Sequence, residues 1–182
     1  MGSIVELKRG LSASAFGVLI FVSGVTAASA TGVIGGGRFG PSCGVVPQEV
    51  LQRVNAIRAS GVRCGGRTMG PAGPLSWNNA LYSAAEHHSA DMAQRNYFEH
   101  TSPEGGTVSQ RVSQTRYNWK SVGENLAGGD RDVAEVVRSW IGSAHHCENL
   151  MDPKFRDVAV ACEARPGSVY GTYWTMVLGR RT

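Results

Sequence analysis

The 182-residue chain has little of what would commit it to a membrane, to nucleic acid or to thiol chemistry. Its longest apolar run, Leu11 to Val25, covers about fifteen residues and is broken by Ser and Gly, whereas a bilayer span needs about twenty. No integral membrane segment is therefore expected once the N-terminal leader is removed. The basic residues, mostly Arg, are scattered singly among acids, so no cationic stripe suits a nucleic acid backbone. There is no H-E-x-x-H and no G-x-S-x-G, the usual marks of a zinc protease or a serine hydrolase. Cysteine is limited to four residues, and if all pair there is no thiol left to act as a nucleophile.

What is present begins with an export signal. Lys8 and Arg9 precede the apolar run, and small residues ending in Ala28-Ser29-Ala30 follow it, the three-part pattern of a secretory peptide cleaved after Ala30. No Cys stands close enough behind that point to accept a lipid. Glu6, Lys8 and Arg9 are the charges of this leader, so 16 basic and 13 acidic residues remain beyond it. The length beyond Ala30 suits one domain with one core, expected to be a monomer. Residues 31–46 are Gly-rich and aperiodic and read as a flexible leader; residues 47–182 form the domain.

Four cysteines in an exported chain predict two disulfides, and three pairings are possible. Chain reach favours Cys43 with Cys64, across a helix about 20 Å long. It also favours Cys147 with Cys162, closing a short loop worth about 3 kcal/mol.

Val50, Leu51, Val54 and Ile57 recur at helical spacing behind Pro47 and predict a helix that stops at Gly61. Gly65 to Pro74 reads as a loop. Leu75 to Arg95 is predicted as the longest helix, with Leu81, Ala85, His88 and Met92 on one stripe. His88 reads as a core histidine, while His87 points about 100° away from it. Glu86 and Asp91 read as surface acids, and Trp77 and Trp140 as helical core residues. Residues 96–106 form a loop, Val108 to Thr115 a short helix, and Val122 to Ala127 a strand. Asp132 caps a further helix through Trp140, and one more turn covers His145 to Met151, with His145 exposed. Strands over Asp157 to Ala164 and Tyr170 to Leu178 close the chain. Helices first and strands last give an α+β fold, a small sheet covered by helices.

Three segments carry polar residues inside apolar or Gly-bounded stretches: residues 97–103 (Y-F-E-H-T-S-P), 122–127 (V-G-E-N-L-A) and 140–151 (W-I-G-S-A-H-H-C-E-N-L-M). With residues 155–160 and 173–177 they resemble, in order, the CAP superfamily, or SCP domain, of cysteine-rich secretory, antigen 5 and pathogenesis-related proteins, and its bacterial-type members in particular. The resemblance covers about residues 48–179. It implies a three-layer α-β-α sandwich with a small, mostly antiparallel sheet and a cleft lined by His and Glu. By position His100 ends the F-x-H segment and Glu124 is the acid of G-E-N-L-A. Eukaryotic members have a Glu where this chain has Ser143 and a second His where it has Tyr173. The bacterial pattern W-x-x-S-x-x-H-x-x-N instead matches Trp140, Ser143, His146 and Asn149, so His146 is the candidate second imidazole.

Two imidazoles and a carboxylate converging on a cleft suit a divalent metal such as zinc, held by His100, His146 and Glu124 with a position open for water. The competing reading is a hydrogen-bonded polar cluster that locks the loops together. The resemblance permits a non-catalytic module whose cleft holds a small lipid-like or glycan ligand. Tyr97, Phe98, Tyr117, Trp119, Tyr173 and Trp174 are then candidates to line it. The alternative is a metal-assisted extracellular hydrolase or protease, although Ser102 and Ser143 read as cap or turn residues rather than nucleophiles.

Overall fold

A computed structural model describes Cys43–Thr182; the expected export signal, residues 1–30, and most of the expected leader, residues 31–46, lie outside the described residues. The chain forms α1 (Pro47–Ser60), the hairpin β1 (Val62–Cys64) and β2 (Arg67–Met69), β3 (Ser76–Trp77), α2 (Asn79–Arg95) and α3 (Val108–Ser113). It continues with β4 (Trp119–Gly128), α4 (Val133–Gly142), α5 (Ala144–Met151), β5 (Asp157–Ala164) and β6 (Thr172–Arg181).

Local chemistry sets the helix starts. Pro47 opens α1, where a missing N–H leaves nothing unsatisfied. Asn78 accepts from the N–H groups of Ala80 and Leu81 at α2, a Thr107–Gln110 capping box opens α3, and Asp132 accepts from Glu135 N–H at α4. The long helix starts later than its periodicity predicts. Ser76 and Trp77 pair in parallel with Asp157 and Val158 of β5, and this ladder outcompetes another helical turn. Trp77 therefore sits half-buried on a strand.

The main sheet has the order β3-β5-β6-β4, with β6 antiparallel to both neighbours. Its two faces are read off β5. Val158, Val160 and Cys162 pack with Trp174, Met176 and Leu178 against α1, α4 and α5. Ala159 and Ala161 pack with Val177 against Leu81, Ala84 and Ala85 of α2, where small residues let the helix lie close. The result is the expected α-β-α sandwich.

The cysteines pair differently from the sequence expectation. Cys43 bonds Cys162 and Cys64 bonds Cys147, not Cys43 with Cys64 and Cys147 with Cys162. A 14-residue helix separates Cys43 from Cys64, and as a rod about 21 Å long it delivers them to different neighbours, β5 and α5. Reach along the chain allowed the local bridge, but the direction in which each segment leaves the helix did not. Both bridges close long loops, of 119 and 83 residues.

Candidate functional site

The three motif segments meet at the β4 edge of the sheet. α2 ends at Asn96, which takes the left-handed conformation (φ 55°) and donates its N–H to Met92 O. The chain thereby turns into the 96–106 loop that carries His100. Two buried side chains hold that loop: His88 Nε2 lies 3.0 Å from Glu99 O, and Arg111 donates to His100 O (3.1 Å) and Gly106 O (2.9 Å). Ser102 is occupied in a turn, its Oγ accepting from Gly106 N–H.

Glu124 projects from β4, and its side chain is 2% exposed. Its Oε1 lies 2.8 Å from His100 Nδ1 and its Oε2 accepts from Arg111 at 2.6 Å. The carboxylate is thus clamped between a buried guanidinium and an imidazole whose other nitrogen is left for the cleft, since the His100 side chain is 58% exposed. A carboxylate on Nδ1 selects the Nδ1–H tautomer and leaves Nε2 with its lone pair. The same bond raises the His100 pKa above its ordinary value, against the opposing effect of burial.

α5 supplies the facing wall. Gly123 is what allows it to approach β4: a Cβ there would lie 2.6 Å from Asn149 Oδ1 and 2.8 Å from the Phe155 ring. Asn149 in consequence lies over the strand and donates to Glu124 O and Asn125 Oδ1. Asn125 in turn donates to His146 O at 3.0 Å. The G-E-N motif therefore has a mechanical meaning: a close approach, the buried acid, and the amide that fixes the turn bearing His146. Trp140 Nε1 donates to Leu126 O one step along, so side chains close this edge of the sheet.

Between these elements and the β1–β2 hairpin lies a cleft of about 920 Å³, lined by groups that include Arg67, His100, Glu124, His146, Glu148 and Asn149. His146 has its pKa lowered by burial first and then by the neighbouring His100 and His145. His100, Glu124 and His146 all line this cleft. His145 lies exposed at its rim.

Tyr173 does not line the cleft. It is fully buried with Met92, Ala93 and Leu126, and its hydroxyl donates to Asn96 Oδ1, bracing the end of α2. Tyr97, Phe98, Tyr117, Trp119 and Trp174 are likewise absent from the lining. The zinc set does not form either. Both oxygens of Glu124 are engaged, and among the described residues no three His, Cys, Asp or Glu side chains are grouped to hold a metal ion. The donors present do not fit a His₂Glu centre.

Two residues of this network were not singled out for the site from sequence. Arg111 carried no signal beyond a lone cation between the apolar residues of a short helix. His88, read as a core histidine, is fully buried, and it also lies 3.9 Å from Glu124 Oε1. Burial pushes its pKa down to about 4.

A stretch of 87 residues is 34% identical to YkwD of Bacillus subtilis (strain 168), covering 48% of this chain and 34% of that protein. A stretch of 91 residues is 28% identical to the membrane protein YlbC of the same organism, covering 50% of this chain and 26% of that one. The matched part therefore spans about a third of the first relative and about a quarter of the second. Among solved structures, an extracellular protein containing a SCP domain from Bacillus anthracis str. Ames is similar with a TM-score of 0.60 at 27% identity, over 74% of this chain and 40% of that one. An outer surface protein from Borrelia burgdorferi shares the fold, with a TM-score of 0.60 at 18% identity over 79% of this chain and 99% of that one. Residues 51–178 match the CAP, cysteine-rich secretory protein, family, and the chain belongs to that family.

Proposed function

We propose that this chain is an extracytoplasmic, non-catalytic binding module whose cleft takes a polar ligand of the glycan class, with the imidazoles of His100 and His146 as directional contacts. One observation carries the reading: an imidazole anchored through Nδ1 by the buried Glu124–Arg111 pair stands in a wide cleft whose lining is rich in charged and amide groups. Hydroxyl-rich ligands need donors and acceptors side by side, and guanidinium, imidazole, carboxylate and amide supply both. A lipid-like ligand needs an apolar wall, and the aromatic residues that would build one lie elsewhere.

An extracytoplasmic setting is supported by the two disulfides and by the extracellular SCP-domain relative. Among the described residues no helix is long and apolar enough to cross a membrane. Hydrolysis finds less support, because no described serine hydroxyl is hydrogen-bonded to His100 or His146 and no described cysteine is free.

Nuclear magnetic resonance titration with soluble oligosaccharides tests the proposal. Resonances of His100, His146 and Arg67 are expected to shift, and binding is expected to be lost in His100→Ala. Binding of lipid micelles but not oligosaccharides, or oligosaccharide binding unchanged in both His100→Ala and His146→Ala, overturns it.

A further inference from the structure

Arg111 and His88 also line a second pocket, of about 160 Å³, that shares no lining residue with the cleft; Asp91, Ser102, Gln110 and Gln114 are among its other walls. Both residues are more than nine-tenths buried, and each carries a buried polar atom without a partner: Arg111 Nε and His88 Nδ1. Groups of this kind are almost always hydrogen-bonded in folded proteins. Their chemistry is complementary. His88 meets Glu99 O through Nε2, which places its proton there and leaves Nδ1 as an acceptor. Arg111 Nε–H can only donate. His88 Nδ1 therefore needs a donor and Arg111 Nε–H an acceptor, and a water molecule is both. The volume holds about five waters at ~30 Å³ each, and polar walls of this kind are where internal water resides. An anion is disfavoured, because the guanidinium already faces Glu124 and Asp91 adds negative charge to the walls.

We infer that this pocket is a hydration site in which ordered water joins Arg111 Nε to His88 Nδ1 and so braces, through Nε, the guanidinium that holds the Glu124 carboxylate. Arg111 then uses all of its faces: one terminal nitrogen on Gly106 O, the other on His100 O and Glu124, and Nε on water. The water, His88 and Arg111 are positioning groups for His100, which connects the inference to the reading of that imidazole as a cleft contact.

A high-resolution crystal structure of the protein is expected to show water within about 3 Å of both orphaned atoms. A dry pocket, or a guanidinium turned so that Nε meets a protein acceptor directly, overturns the inference whether or not the cleft binds a glycan. The bracing is read from the ¹⁵N shifts of His100. The Nδ1–H tautomer is expected in the wild type and in His88→Asn, whose amide can still accept from water, and a tautomer mixture in His88→Phe. An unmixed Nδ1–H tautomer in His88→Phe refutes the bracing.

Discussion

Replacing Glu124 by Gln removes the charge on which the cleft geometry turns. The Glu124 and Arg111 side chains are 2% and 7% exposed and 2.6 Å apart. Removing one partner of a buried pair costs about 3–5 kcal/mol, because the other charge is left uncompensated. Gln keeps the shape and one carbonyl acceptor for Arg111, so the lower end applies, about 3 kcal/mol. For a domain of this size each kcal/mol moves Tm by roughly 2–4 °C, which predicts a fall of about 6–12 °C. Differential scanning calorimetry with the disulfides intact measures it, and urea denaturation gives the free energy independently. Replacing both partners by Met removes the stranded charge, so the double variant is expected to recover a large part of the loss. A loss below about 1 kcal/mol in Glu124→Gln, or a double variant as unstable as the sum of the singles, refutes the account of Glu124 as a clamped, buried ion.

His88 makes folding acid-sensitive. Its folded pKa of about 4 lies below the ordinary 6.5, so the unfolded chain binds the extra proton first and stability falls as pH drops across that window. The loss reaches about 3 kcal/mol, and denaturation profiles of the wild type and His88→Gln are expected to diverge by that amount between neutral pH and pH 4. His100 acts with the opposite sign: its raised pKa contributes stability that is present below 6.5 and lost as pH rises through the folded value. Non-reducing peptide mapping should recover Cys43 linked to Cys162 and Cys64 linked to Cys147, and a peptide joining Cys43 to Cys64 contradicts the fold. Removing the Cys64–Cys147 bridge, which spans 83 residues, should cost about 4–5 kcal/mol in the chain-entropy model, read by urea denaturation. Treatment with EDTA should leave Tm unchanged, whereas a drop of several degrees would reveal a metal that bears on the fold.

The elements that were legible in the sequence are those with an internal period. α1 and α2 show a helical stripe, and β5 shows the alternation of Val158, Val160 and Cys162, the face that packs against α1, α4 and α5. Asp132 was readable as a cap because its role is local. β3 was hidden because two residues that pair with a distant strand leave no period of their own. The hairpin β1–β2, turned at Gly65 with φ +57°, was hidden because strands of three residues are too short to show an alternation. The disulfide pairing is not legible in the sequence, because spacing measures reach and not direction. His100, Glu124 and His146 stand in motifs, and all three line one cleft. Arg111, which holds the acid, lies in no motif. Tyr173 was placed in the cleft by its position in the family pattern, yet β6 turns it into the core against Leu126. The aromatic residues were candidates by type alone, and side-chain type does not say which face of a strand or loop a residue occupies.

The central claim is that buried Glu124 holds His100 by Nδ1 and presents Nε2 to the cleft. A pH titration of the His100 ring resonances tests it most directly. The account predicts a midpoint above 6.5 in the wild type and a fall in Glu124→Gln, with the fold retained as judged by the remaining spectrum. A wild-type midpoint at or below 6.5, or the same midpoint in both proteins, would contradict it.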